Sequence, residues 1–193
     1  MLLGGSIAVR YLDADQWVQE AKNLGFRALT WPEFKPEQRE EKIKLQKALK
    51  KAGITIAEVG AWRNTLDSDE AARRNAIRYA AERLAEADEI GARCCVNIAG
   101  STGEQWDGPY RDNYSAETYE KTVDTIREII DMAAPTRSFY TIEPMPWMVP
   151  DGPDEYLQLL RDVDRSHFGV HLDFVNMINT PCRYLMAEKF LGE

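Results

Sequence analysis

Short apolar runs alternate with amphipathic stretches of helical period along the whole chain. Gly4 to Arg10 is a short apolar run and reads as a first strand. Asp13 or Asp15 is placed to cap a helix whose Trp17, Val18, Ala21 and Leu24 share one face, and Gly25 stops it. Phe26 to Trp31 follows as a second strand, ended by Pro32. Pro36 to Ala52 is rich in Lys and Glu, with Ile43, Leu45, Leu49 and Ala52 on its apolar side and Gly53 at its end. Ile54 to Trp62 reads as a third strand; Asp67 or Ser68 then caps a long helix over 69–90, closed by Gly91. Arg93 to Ala99 carries Cys94, Cys95, Val96 and Ile98 in a near-continuous apolar run, the pattern of a parallel strand buried on both faces. A helix from about Ser115 to Ala134 ends at Pro135. The strand Phe139–Ile142, a helix over 154–163 with Tyr156, Leu157, Leu160 and Val163 at helical spacing, and the strand Phe168–Leu172 complete the series.

Six strand signals alternating with five helices predict a parallel α/β fold. The alternation alone does not separate a closed barrel from an open, doubly wound sheet. No G-x-G-x-x-G or Walker-type loop follows the first strand, so the nucleotide-binding version has no support. No Pro/Gly/Ser-rich linker divides the 193 residues, which are expected to form one domain over 1–193.

Charge narrows the partners. A net charge of −8 and a pI near 5.0 argue against nucleic acid, because phosphate binding needs clustered Lys and Arg. The lysines between Lys42 and Lys51 read as the solvated face of a helix. Three cysteines, two of them adjacent (Cys94, Cys95), make no disulfide framework and fit a reducing cytoplasm. No run of 18 apolar residues and no signal-type N-terminus occurs, so a cytoplasmic protein with no membrane partner is expected.

The candidate chemistry sits in 139–176. Phe139–Ile142 runs directly into Glu143, and Phe168–Leu172 runs into Asp173. Neighbouring strands lie about 4.8 Å apart, so two strand-end carboxylates can reach one divalent cation. Pro144-Met145-Pro146-Trp147 after Glu143 is a rigid turn suited to holding a site in place. Alternation puts His171 and Asp173 on one face and Val170 and Leu172 on the other. Glu58 ends the third strand, and Glu33, after the second, reads as an ordinary loop residue. Trp31, Trp62, Trp106 and Trp147 stand at or after strand ends, where indoles can stack on the C–H face of a sugar. Trp106 belongs to a long loop, Gly100 to Tyr114, of the kind that carries function.

The segments IEPMPW (142–147) and GVHLDFVNMI (169–178) resemble the fifth and sixth strand ends of the xylose-isomerase-like TIM barrels, the sugar (phosphate) isomerase and epimerase superfamily. In that family Glu, Asp, His and Glu from strands five to eight bind one divalent metal. Glu143 and Asp173 match the first two; the His and the last Glu have no counterpart here. The family's substrate-contacting His, three residues after the Asp, is replaced by Asn176. The resemblance implies an incomplete (β/α) barrel of about six of eight units, and a divalent metal, Mn²⁺ foremost, with Mg²⁺ or Co²⁺ as alternatives. It implies a ketose or sugar-phosphate isomerase or epimerase working through an enediolate, with Glu143 as ligand and proton carrier. Substrate contacts are expected from Trp147, Asn176, His171, Trp106, Trp62 and Glu58. The alternatives are the metal-bearing subunit of a C-glycoside deglycosidase or keto-sugar lyase, and an inactive barrel fragment or binding subunit.

A whole barrel needs about 250 residues. The natural protein is therefore expected either to continue for roughly another 80–100 residues or to have its open edge covered by a partner chain or a second copy. After Asp173 the sequence reads as a short amphipathic piece ending at Phe190-Leu191.

Overall fold

The computed structural model describes residues 1–8, 11, 13–35 and 37–185; the Val9–Arg10 end of the first predicted strand, Pro36 and the Phe190-Leu191 piece lie outside them. Six strands form one parallel sheet: Gly4–Gly5 (β1), Ala28–Trp31 (β2), Thr55–Gly60 (β3), Cys94–Asn97 (β4), Phe139–Ile142 (β5) and Phe168–Val170 (β6). Between them run Ala14–Asn23 (α1), Arg39–Ala52 (α2), Glu70–Ile90 (α3), Ala116–Ala133 (α4) and Pro153–Val163 (α5), followed by two single turns, Phe174–Met177 (α6) and Pro181–Tyr184 (α7).

The strand order is β1-β2-β3-β4-β5-β6. A doubly wound sheet reverses its order at a switch point, and this one never does. Crossovers of one hand then leave every helix on the same face, which is the barrel arrangement. The curl is visible in one contact. In a flat sheet β3 and β6 would stand roughly 14 Å apart, three strand spacings. Instead Glu58 Oε2 of β3 lies 3.1 Å from Nε2 of His171, the residue after β6.

Local chemistry sets the element ends. Asp13 caps α1 by accepting the Gln16 N–H at 2.9 Å, but Leu24 lies past the helix end and is exposed. For α3 the cap is Asp69, accepting from Ala72 N, while Asp67 accepts the Asp69 N–H. Gly53 closes α2 at φ +67. At the end of α4, Pro135 keeps Ala134 out of the helical region, and Ala134 takes φ +44. β1 is two residues long and hugs β2: a Cβ on Gly4 would meet the Ala28 carbonyl oxygen at 2.3 Å.

The core lies between sheet and helices. Leu29, Val59, Cys95, Tyr140 and Ile142 of the strands pack with Leu45, Leu49, Ile77, Leu84, Ile126 and Leu159 of the helices in one buried cluster. Trp31 belongs to this layer, not to the strand-end rim. It is buried and donates Nε1–H to Glu86 of α3 at 3.2 Å, and Glu86 in turn pairs with Arg83 and with Lys42.

Candidate active site

Glu143 is the first residue past β5, and its N–H continues the ladder by donating to the Asn97 carbonyl at 2.8 Å. It therefore leaves the sheet at the C-terminal rim. Asp173 stands three residues beyond the last residue of β6 and is the N-cap of α6, its Oδ1 accepting the Asn176 N–H at 3.0 Å. The strand expected to reach Leu172 thus stops at Val170, and a short turn carries Asp173 over the rim. Asn176 bridges the two carboxylates, its backbone N–H on Asp173 and its side chain on Glu143, so the pair stands side by side. Burial raises the Glu143 pKa, and the charges of Asp173 and Glu58 raise it further against the opposing pull of His171. Asn176 completes this cluster, donating Nδ2–H to Glu143 Oε1 at 3.1 Å.

A second polar cluster faces the barrel interior. Ser6 donates to Thr30 Oγ1 at 3.2 Å, Thr30 donates to Glu58 Oε1 at 3.0 Å, and Glu58 meets His171. The His171 hydrogen bond lowers the Glu58 pKa despite burial. Burial works to lower the His171 pKa, but the Glu58 hydrogen bond and charge outweigh it and the pKa is raised. His171 Nδ1 is buried without a protein hydrogen-bond partner.

The residue that sets these strand ends is Tyr156, which the sequence presents only as part of an apolar helix face. Its hydroxyl accepts the N–H groups of Ile142 and His171, both at 3.2 Å. It thereby ties together the chain just before Glu143 and just before Asp173. The apolar pair beside them is not covered: Val170 is 50% and Leu172 47% exposed.

The aromatic candidates divide. Trp147 is half-buried against the core, and its carbonyl accepts from Asn113 Nδ2 at 2.9 Å, which joins the Glu143 turn to the 100–114 loop. Its own Nε1 is buried without a partner. Trp62 and Trp106 line a separate cleft on the same rim. Glu33 accepts from the Tyr79 hydroxyl at 3.1 Å, away from both clusters.

As donors, Glu143 and Asp173 offer hard oxygens side by side, which suits Mg²⁺, Mn²⁺ or Co²⁺. Two carboxylates are at most part of a ligand set: among the described residues no group of three or more His, Cys, Asp or Glu is arranged around one ion position. No helix among them is long and apolar enough to cross a membrane.

Comparison with solved structures shows the same fold. A 3-keto-D-glucoside 4-epimerase from E. coli superposes with a TM-score of 0.75 at 16% identity, over 98% of this chain and 74% of that one. A xylose isomerase-like TIM barrel protein from Mycobacterium smegmatis, in complex with magnesium, gives 0.67 at 15% identity, over 98% and 71%. A D-psicose 3-epimerase from Clostridium cellulolyticum H10, with D-tagatose, gives 0.65 at 18% identity, over 88% and 62%. The chain thus spans 62% to 74% of the length of these structures. No curated protein matches the sequence. Residues 18–190 match the family described as xylose isomerase-like TIM barrel, and the chain belongs to that family.

Proposed function

We propose that this chain carries the strand-end carboxylate centre of a divalent-metal-dependent sugar isomerase or epimerase. One observation carries the reading: Asn176 binds Glu143 and Asp173 at once at the C-terminal rim, where barrel enzymes place their chemistry. The solved neighbours include a ketose epimerase and a keto-glucoside epimerase, which supports sugar chemistry.

Glu143 and Asp173 would hold the cation. When bound, it supplies positive charge against which the oxyanion of an enediolate is stabilised. Glu143 removes the proton from the carbon next to the carbonyl and, in an isomerase, returns it to the neighbouring carbon on the same face. In an epimerase a second proton carrier on the opposite side of the substrate, which Glu143 does not supply, delivers a proton to the other face. Asn176 fixes the orientation of the Glu143 carboxylate. Trp147, braced by Asn113 of the long loop, closes the rim beside it. Glu58 and His171 present a charged pair for substrate hydroxyls from the interior side. The magnesium complex of a neighbour supports a divalent ion, and Mn²⁺ is the first choice for this chain.

A second reading is a keto-sugar lyase or the metal-bearing subunit of a C-glycoside deglycosidase, in which the same proton abstraction expels a leaving group. The likeness to a keto-glucoside enzyme favours it. Proton exchange separates these readings from a non-catalytic subunit. In D₂O with Mn²⁺, the protein should wash deuterium into the carbon next to the carbonyl of D-tagatose or a 3-keto-glucoside. Glu143→Gln should abolish it; exchange that persists in that variant would overturn the assignment. Loss of the aglycone rather than epimerisation would select the lyase.

A further inference from the structure

Beyond the carboxylates, the C-terminal rim carries a cavity of about 610 Å³ between the β3–α3 and β4–α4 loops. Trp62, Arg63, Asn64, Asp67, Glu104 and Trp106 line it. Two indoles with carboxylates around them are the surroundings a sugar ring needs: apolar area for its C–H face and polar groups for its hydroxyls. We propose that this cleft is a second saccharide subsite, so that the substrate is a glycosylated ketose rather than a free monosaccharide. This rests on the reading of Glu143 and Asp173 as a sugar centre.

The cleft is built rigidly. Asn97, fully buried at the end of β4, donates to the Arg63 carbonyl at 3.0 Å and accepts the Arg63 N–H at 3.3 Å. Asn64 does the same for Ser101, donating to its carbonyl at 2.8 Å and accepting its N–H at 3.1 Å. Thr65 adds a bond to the Ala99 carbonyl at 3.2 Å. Gly100 makes this closure feasible: its φ is +94, and a Cβ there would lie 2.4 Å from Asn64 Oδ1. Two loops cross-pinned by a buried carboxamide, Asn97, and a part-buried one, Asn64, give a preformed site, which lowers the ordering cost of binding.

Inside that frame Trp62 is left 40% exposed. Its indole lies across the end of β3, with Nε1 2.4 Å from where a Gly60 Cβ would stand. Arg63 is not aimed into the cleft: its guanidinium rests on the Tyr79 ring at 4.4 Å and donates to the Trp62 carbonyl at 2.7 Å, bracing the platform from behind. Ser68 and Glu104 complete the lining of the cleft, with a hydroxyl and a carboxylate to offer to sugar hydroxyls. Gly60 is two residues past Glu58, whose carboxylate meets His171, and His171 is two residues before Asp173, so the platform and the Glu143–Asp173 pair lie along the same rim.

The test compares D-fructose with three glucosyl-fructoses, turanose, leucrose and isomaltulose, by calorimetry with Mn²⁺ present. Each adds one glucose ring to the same ketose, and three linkages avoid assuming its angle or the ring form of the fructose. At least one disaccharide should bind more tightly than D-fructose. Trp62→Ala should weaken that disaccharide roughly five- to tenfold and D-fructose less than about twofold, with Trp62→Phe restoring most of the loss. Unchanged thermal melting shows that the variants fold. If no disaccharide outbinds D-fructose, or Trp62→Ala weakens both sugars equally, the subsite is overturned. Glu143→Gln tells the two failures apart. If it weakens both sugars while Trp62→Ala weakens neither, the cleft falls and the centre stands. If only Trp62→Ala acts, and on the disaccharide alone, the subsite stands and the carboxylate centre falls.

Discussion

Asn176 holds both candidate carboxylates at once: its side chain donates to Glu143 Oε1 at 3.1 Å, and its backbone N–H donates to Asp173 Oδ1 at 3.0 Å. The position where the family presents a substrate-contacting His is thus occupied here by a residue that binds both candidate carboxylates. Asn176→Ala removes one hydrogen bond to a carboxylate, and kcat/KM should fall about tenfold, about 1.4 kcal/mol. Steady-state kinetics check this; an unchanged kcat/KM would show that Asn176 orients nothing that matters.

The Glu58–His171 pair should give a pH-dependent stability. His171 has a raised pKa in the fold, so its contribution is complete below the unfolded value of about 6.5 and is lost as pH rises through the folded pKa. Glu58 has a lowered pKa, so its contribution is present above about 4.3 and is lost as pH falls through the folded value. The pair therefore stabilises most between about pH 4.3 and 6.5. Glu58→Gln should cost on the order of 1–3 kcal/mol there and less at pH 8. Urea unfolding at several pH values reads the difference, and a flat profile would contradict it.

At the opposite end of the sheet, Asp88 of α3 accepts the N–H groups of Thr136, Arg137 and Ser138 at 3.0, 2.8 and 2.8 Å. Burial works to raise its pKa, but these bonds bring it down to about 2. The stabilisation is present above the unfolded pKa of about 3.9 and is lost as pH falls through about 2. Asp88→Ala should destabilise by on the order of 1–3 kcal/mol at pH 7, with the gap between variant and wild type closing near pH 2. A gap of constant size would mean that the charge is irrelevant.

β6 pairs with β5 alone among the described residues, and Val170, Leu172 and Val175 beside it are exposed. An open edge with apolar neighbours is a template for a second chain. Wild-type protein is expected to self-associate in light scattering, and Val170→Lys with Leu172→Glu should shift it toward monomer. An unshifted monomer in both would remove this surface as an interface.

The strand–helix order was legible because Gly, Pro and Asp stand at the boundaries where backbone geometry needs them. Cap identity was less so: Asp67, Ser68 and Asp69 are all competent, and the choice of Asp69 follows from Asp67 being engaged by the Asp69 N–H. Trp31 was misplaced among the rim aromatics although alternation speaks against it. Thr30 faces inward to Glu58, so the next side chain must face the helices. The Glu143–Asp173 apposition follows from a repeated strand-then-carboxylate pattern. Tyr156, Asn97 and Asn64 had no such signal. Their roles depend on which distant backbone groups the fold brings within about 3 Å, and hydrophobic period carries no trace of that.

The central claim is that Glu143 and Asp173 form a divalent cation centre. Titration of the protein with Mn²⁺, followed by the loss of the free-ion electron paramagnetic resonance signal, tests it most directly. The expected result is saturable uptake of one ion per chain, abolished by Glu143→Gln and by Asp173→Asn, with Glu58→Gln retaining it. Uptake that never saturates, or that survives both carboxylate substitutions, would contradict the assignment.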